Sequence, residues 1–411
     1  MASGGVRTIN LHCYPNGLAY DSGKSGVYVD AYANSPHKGF VLAISDRTDK
    51  VVANTTVGST SLGWIVYDSV KDEIFTVDTS SEVYVISDGN NQVVANFTVG
   101  APQLGIGFNN VCFDSGRGEI FVANPNMNVS VSGNNVLPNF LSNATVSVIS
   151  DVSNSLVANV TLPGYNADAL AYDPYKGEVF VGHVSNSSGE VAVVSDSSSA
   201  VVDNIALGFG PAGMVYDSDN NDVYAADANG TLVAISDQTN SVVSTMTLKL
   251  ATPWILTYDS GKGEIFDIDF NSNAFNRSVS AISTHDYSVT ANITPGYLPS
   301  DITYDSSKGE VFVSNALPGV LSVIPDEPGT STFNAALIVA VTAVGAIAVC
   351  AAILVRRRCA KAHTESSITQ QLRIRKTKRK FLRINLVNIC APDYWEECCK
   401  AVQKNRPIFL S

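Results

Sequence analysis

Seven aspartates recur behind an aromatic residue, at Asp21, Asp68, Asp114, Asp173, Asp217, Asp259 and Asp305, and most are followed closely by a Lys or Arg, a Gly and a Glu. Taken singly, each group looks catalytic. A residue needed once for chemistry has no reason to recur in every unit, however, and Asp, Ser and Gly are the residues that build tight turns. The repeated set therefore reads as turn chemistry. A calcium-loop reading of Asp217-Ser-Asp219-Asn-Asn221 stops at Asp222, where a glycine is required, and at Ala228, where a glutamate is required. The histidines, at 12, 37, 183, 285 and 363, form no pair at metal-ligand spacing, and nothing resembles a nucleophile elbow or a phosphate loop. No catalytic, cofactor-binding or metal residue is expected from the sequence.

The elements that carry these aspartates form a repeat. The phrase begins at Tyr20, Tyr67, Phe113, Tyr172, Tyr216, Tyr258 and Tyr304, a spacing of roughly 42 to 59 residues that marks a propeller or a solenoid. A second phrase follows in each unit (VLAISD, VYVISD, VSVISD, VAVVSD, LVAISD, VSAIST, LSVIPD), and six units add a third such as VVANTTV or VVANFTV. With the apolar residues before each aromatic-Asp, this gives four short β-rich runs bounded by turn residues, which is the content of a propeller blade. The seventh unit lacks its fourth run, and Val6 to Leu11 offers one at the other end of the chain. The expected fold is all-β: a seven-bladed β-propeller closed by the N-terminal strand, with the two sheet edges of an open array thereby removed.

The units resemble the YVTN β-propeller repeats, a family of surface-layer-like and secreted proteins well represented in archaea. Phe121-Val122-Ala123-Asn124 and Phe312-Val313-Ser314-Asn315 stand closest to the naming tetrapeptide, with the Val-x-Val-Ile-Ser-Asp phrase behind. Other copies end in Asp30, Asp78, Asp227, Asp269 or His183. The resemblance covers residues 6 to 326 and implies a cell-surface or scaffolding role, with no activity attached.

Four segments are expected: the propeller at 1–324, a short stalk at 325–332, a transmembrane helix at 333–355 and a basic cytoplasmic tail at 356–411. From Ala335 to Val355 no residue is charged, and as a helix this stretch would span roughly 30 Å, the thickness of a bilayer core. Arg356, Arg357 and Arg358 follow at once, so the positive-inside rule puts the propeller outside the cell. Residues 1–334 hold 34 Asp and Glu against 12 Lys and Arg, and such an acidic domain argues against nucleic acid as a partner. MASGGVRTIN has neither a charged nor an apolar signal region, so the natural start is expected upstream. Cys13 and Cys112 belong to junctions more than one blade apart and are expected to be reduced.

Nine Asn-x-Ser/Thr sequons precede the apolar run. Asn54, Asn96, Asn159 and Asn292 fall in the fourth strands, and Asn128, Asn143, Asn186, Asn229 and Asn276 fall between second and third strands. The links between blades share one face with the variable inserts, and each carries an aromatic residue: Tyr14, Trp64, Phe108, Tyr165, Phe209, Trp254 and Tyr297. These seven are the candidate ligand face, stacking on sugars or on a partner, with blade packing as the competing role. The function expected is that of a membrane-anchored, glycosylated coat, scaffold or adhesion protein. A receptor for a polysaccharide or soluble ligand comes second, and an extracellular lyase or hydrolase last.

Overall fold

A computed structural model describes residues 5–34, 37–58, 62–78, 80–99, 111–125, 127–132, 135–140, 143–185, 188–227, 229–248, 253–269 and 277–326. The predicted membrane segment and tail lie outside them, as does Phe108. Among the described residues no helix is long and apolar enough to cross a membrane.

The chain folds as a seven-bladed β-propeller of four-stranded antiparallel sheets. The fourth blade is representative: Tyr165–Asp173 is innermost, followed outward by Glu178–Ser185, Ser188–Ser195 and Ala200–Ala206. The seventh sheet takes three strands from Tyr297 to Pro325, and its outer strand is Arg7–Asn10, paired antiparallel with Val320–Pro325 at Arg7↔Val323 through Asn10↔Val320. The long insert of the third blade forms an additional two-stranded hairpin, Met127–Ser132 with Asn135–Phe140.

Alternating apolar residues let each sheet bury both faces against its neighbours. The aromatic of each second strand, Tyr28, Phe75, Phe121, Phe180, Tyr224, Phe266 or Phe312, is buried in the cluster shared with the following blade. The aromatic that precedes each repeated aspartate packs into the cluster shared with the preceding blade, as Tyr172 does against Phe121 and its neighbours. Outer strands are bulged: in the first blade Ile44 faces Val51 and Ala43 faces Ala53, leaving Val52 exposed, and the same shift recurs at Val94, Val157, Val202 and Val243. A bulge of this kind twists an edge away from edge-to-edge pairing.

The repeated turn now has a physical account. Each aspartate is buried at the end of its inner strand and accepts hydrogen bonds from backbone N–H groups of the turn, as Asp173 does from Tyr175 at 2.8 Å and Lys176 at 3.2 Å. Asp217, the residue of the suspected calcium loop, caps Asp219 and Asn220 in the same way. The turn then needs a left-handed residue, filled by Ser25, Asp72, Gly118, Gly177, Asn221, Gly263 or Gly309, with φ from 56° to 67°.

The basic residue of the turn reaches out of its own blade. Lys24 Nζ donates to the Asp88 carbonyl at 2.6 Å, Lys176 Nζ to the Asp237 carbonyl at 2.5 Å and Lys262 Nζ to Asp326 Oδ1 at 2.7 Å, while Lys71 reaches Asp151 and Lys308 reaches Asp46. Arg117 lies close enough to Asp196 to favour its charge. At the one junction with an asparagine, Asn220 faces Thr284 at 3.4 Å. Each turn therefore holds the end of the third strand in the next blade. Replacing Lys176 with Ala should lower unfolding free energy by about 1 kcal/mol in a denaturant titration, the magnitude of a half-exposed charged hydrogen bond. A change within about 0.2 kcal/mol would mean that the tether contributes nothing beyond the apolar junction.

Candidate functional site at the ring axis

The inner strands begin with irregular backbone. Register shifts separate Pro15 from Leu18, Leu62 from Trp64, Tyr165 from Ala169, Pro253 from Ile255 and Pro299 from Asp301. Innermost strands have no neighbour on their axial side, so their free N–H groups need side-chain partners. In the first blade two carboxylates supply them. Asp30 Oδ1 accepts from Gly17 N at 2.5 Å, and Asp301 Oδ2 reaches across from the seventh blade to accept from Leu18 N at 2.7 Å. Asp301 Oδ1 also accepts from the backbone N–H of Ile302 at 2.8 Å. A Cβ at residue 17 would come to 3.0 Å from Asp30 Oδ2, which leaves little room for any side chain there.

Around this point lies a cavity of about 50 Å³, lined by Asn16, Gly17, Leu18, Gly63, Trp64, Ile65, Val111, Asp301 and Ile302. That is room for a few water molecules or one small polar group. Asn16 spans to the second blade through Nδ2 on the Leu62 carbonyl at 2.9 Å, and its own carbonyl accepts from Ser314 Oγ of the seventh blade at 2.7 Å. Burial pushes the carboxyl groups of Asp30 and Asp301 up to about 7, with backbone hydrogen bonds opposing the rise. Asp168, on the inner strand of the fourth blade, is likewise raised to about 7 by burial.

The candidate aromatics are distributed, not assembled. Tyr14 stacks on Tyr32 with ring centroids 5.2 Å apart. Trp64 is 4% exposed, lines the axial cavity and packs with Phe75, Val77 and Ile120 at the junction of the second and third blades. Phe209 packs on the core between the fourth and fifth blades, and Tyr165 is half-buried. Trp254 packs between the sixth and seventh blades with the Arg277 guanidinium 5.3 Å from its ring centre, while Tyr297 is 44% exposed. Asn16, Asp168 and Asp301 were not singled out in the sequence, and Asp30 was noted only as the end of a repeat tetrapeptide. The signal available was a charged residue inside otherwise apolar strands, as in ADALAYD and SDITYD.

Among the described residues one group, Asp259, Glu264 and Asp326, brings three carboxylates within metal-holding distance. Lys262 already supplies the positive charge there. Neither described cysteine forms a disulfide, as expected; Cys13 is buried, which raises its thiol to about 11.

No protein-family model matches the chain, and no curated protein sequence matches it. Among solved structures the chain is similar to hydrazine synthase of Kuenenia stuttgartiensis, with a TM-score of 0.61 and 14% identity, covering 77% of this chain and 97% of that one. At that identity the likeness supports the propeller fold and nothing finer.

Trp64→Ala should cost about 3 to 5 kcal/mol in a denaturant titration, because it empties a junction core. Tyr297→Ala should stay within about 0.5 kcal/mol. Equal costs at the two positions would overturn this division between core and surface.

Proposed function

We propose that the chain is a membrane-anchored, cell-surface β-propeller that acts as a coat, scaffold or adhesion module, kin to the YVTN repeat proteins of archaeal surfaces, and that it is not an enzyme. The observation that carries this is one succession in the sequence: an acidic propeller, a Pro/Gly/Ser/Thr stalk, an uncharged 21-residue run from Ala335 and an arginine triplet. A single-pass anchor with the propeller outside satisfies all four at once. The sequon asparagines support it. Asn54, Asn96, Asn143, Asn159, Asn229 and Asn292 are all exposed, and four of them sit on outer strands, where a glycan would shield the blade edge. Asn186 and Asn276 lie outside the described residues and, with Asn128, belong to the same proposal.

Ring closure by the N-terminal strand is part of the reading. It is supported by the pairing of Arg7–Asn10, by the bidentate ion pair of Arg7 with Glu310 at 2.9 Å and by Ile9 and Leu11 in the core between the seventh and first blades. Deleting residues 1–11 should lower the melting temperature sharply; an unchanged melt would remove closure from the proposal.

The axial cavity favours a second reading, a receptor that takes a small polar group of a polysaccharide or soluble ligand between Asn16, Trp64 and Asp301. The enzyme reading stays last. Asp30 and Asp301 are both engaged with backbone N–H groups, and among the described residues the cavity lining adds no nucleophile or general base beside them.

Glycopeptide mapping of protein purified from membranes tests the main reading. Sugar on Asn229 or Asn143 together with the outer-strand sites is the expected result. Bare asparagines at all nine sequons in a protein that partitions with the soluble fraction would overturn both the anchor and the topology.

A further inference from the structure

The turn end of the ring concentrates acids against acids. At the junction of the second and third blades, Asp68 and Glu73 of one blade face Asp151 of the next, and Lys71 is the basic residue facing them. The third blade presents Phe113, without a hydroxyl, to this junction where the other six blades carry Tyr. Asp68 Oδ1 caps the turn, yet Asp68 Oδ2, Glu73 Oε2 and Asp151 Oδ1 are buried without a hydrogen-bond donor. Three ionised carboxylates around one ammonium would leave two uncompensated charges out of water, an arrangement that costs far more than keeping one group protonated.

The same opposition recurs. Asp114 faces Asp196 across a junction that also holds Arg117 and Glu119 of the third blade and Tyr172 of the fourth. Asp305 faces Asp46 beside Lys308 and Ser307 of the seventh blade and Tyr20 of the first, and carboxyl oxygens of Asp259 and Asp326 lie within 4.8 Å of one another. At the junction of the sixth and seventh blades the charged and titratable neighbours are Glu264 and Lys262 from the sixth and Tyr304 from the seventh. Opposed buried carboxylates repel each other unless one of them holds a proton or a cation lies between them.

We propose that the propeller is locked by protons: across these four junctions an acid of one blade shares a hydrogen with an acid of the next, so the ring is built for mildly acidic surroundings and loosens as the protons leave. Burial first raises Asp68, Asp196 and Asp46, and the opposing carboxylate adds to it, while turn N–H groups at Asp68, Arg117 at Asp196 and Lys308 at Asp46 oppose the rise. A carboxyl group that binds its proton more tightly in the folded state contributes stability that is complete below its unfolded value of about 4 and is lost as pH rises through the folded value. The window therefore opens at about pH 4 and reaches towards 7 through Asp30 and Asp301 at the axis. Fully buried Asp267, raised by burial and then by Asp269, adds to the same slope.

Thermal unfolding of the full chain between about pH 4.5 and 8.5, with either EDTA or calcium, tests the proposal. The melting temperature should fall by about 5 °C or more from pH 5 to pH 8, whichever additive is present. Asp68→Asn keeps the turn-capping oxygen and replaces the shared proton with permanent N–H groups, so it should raise the melting temperature at pH 8 and flatten the slope. Should that variant not fold, the infrared carboxylic-acid C=O band of the unmodified chain gives the readout, persisting near neutral pH and vanishing only above it. A melting temperature that is flat or climbs towards pH 8, an Asp68→Asn variant with an unchanged slope, or absence of the acid band above about pH 5 would each overturn proton locking. Recovery by calcium at pH 8, reversed by EDTA, would overturn it in favour of cation sites.

Discussion

Everything else in this propeller depends on the reach of one turn residue into the next blade. Apolar faces bring neighbouring sheets together, but van der Waals packing between two flat, similar surfaces leaves them free to slide. The Lys24–Asp88 contact, and its counterparts around the ring, fix where one blade's inner turn meets the next blade's third strand. The aspartate that starts the turn holds the lysine's own backbone, and the next blade's tyrosine lies against that aspartate, as Tyr172 does against Asp114 and Tyr304 against Asp259. One short phrase thus makes a turn, a tether and a lid for its neighbour's buried charge.

This explains which features could be read in advance. The aromatic-aspartate repeat, the four runs per unit and the seven blades were legible, because turn chemistry and alternation are local properties. The partners of the lysines were not. Lys176 and Asp237 are 61 residues apart, Lys262 and Asp326 are 64, and Lys308 and Asp46 are 262, so only the closed geometry brings them together. A trace of the pairing was present all the same: the unit with Asn220 in place of lysine precedes the unit with Thr284 in place of aspartate. The axial role of Asp30 and Asp301 escaped notice for a different reason. They serve backbone groups exposed by a register shift, and a shift of that kind leaves no periodic signature.

The candidate aromatics show the limit of arguing from face and spacing. Seven links each contribute one ring, and the shared face is a sound expectation from strand parity. Yet where a ring points is decided by its blade junction, so Trp64 turns inward to a core while Tyr297 stays at the surface. What gathers at the axis instead is polar backbone and the acids that satisfy it, a small water-sized space whose chemistry is set by the first and seventh blades.

The route by which the chain leaves the propeller has a mechanical meaning. The last strand, Val320–Pro325, is neither an edge nor an inner strand; it is hydrogen-bonded along one side to Glu310–Leu317 and along the other to Arg7–Asn10. A pull transmitted from the residues that follow would run along this strand and load two antiparallel ladders in shear together, instead of peeling a free edge one bond at a time. Under the proposed anchoring, the paired segment Arg7–Asn10 would be the second plate of a lap joint that shares such a load.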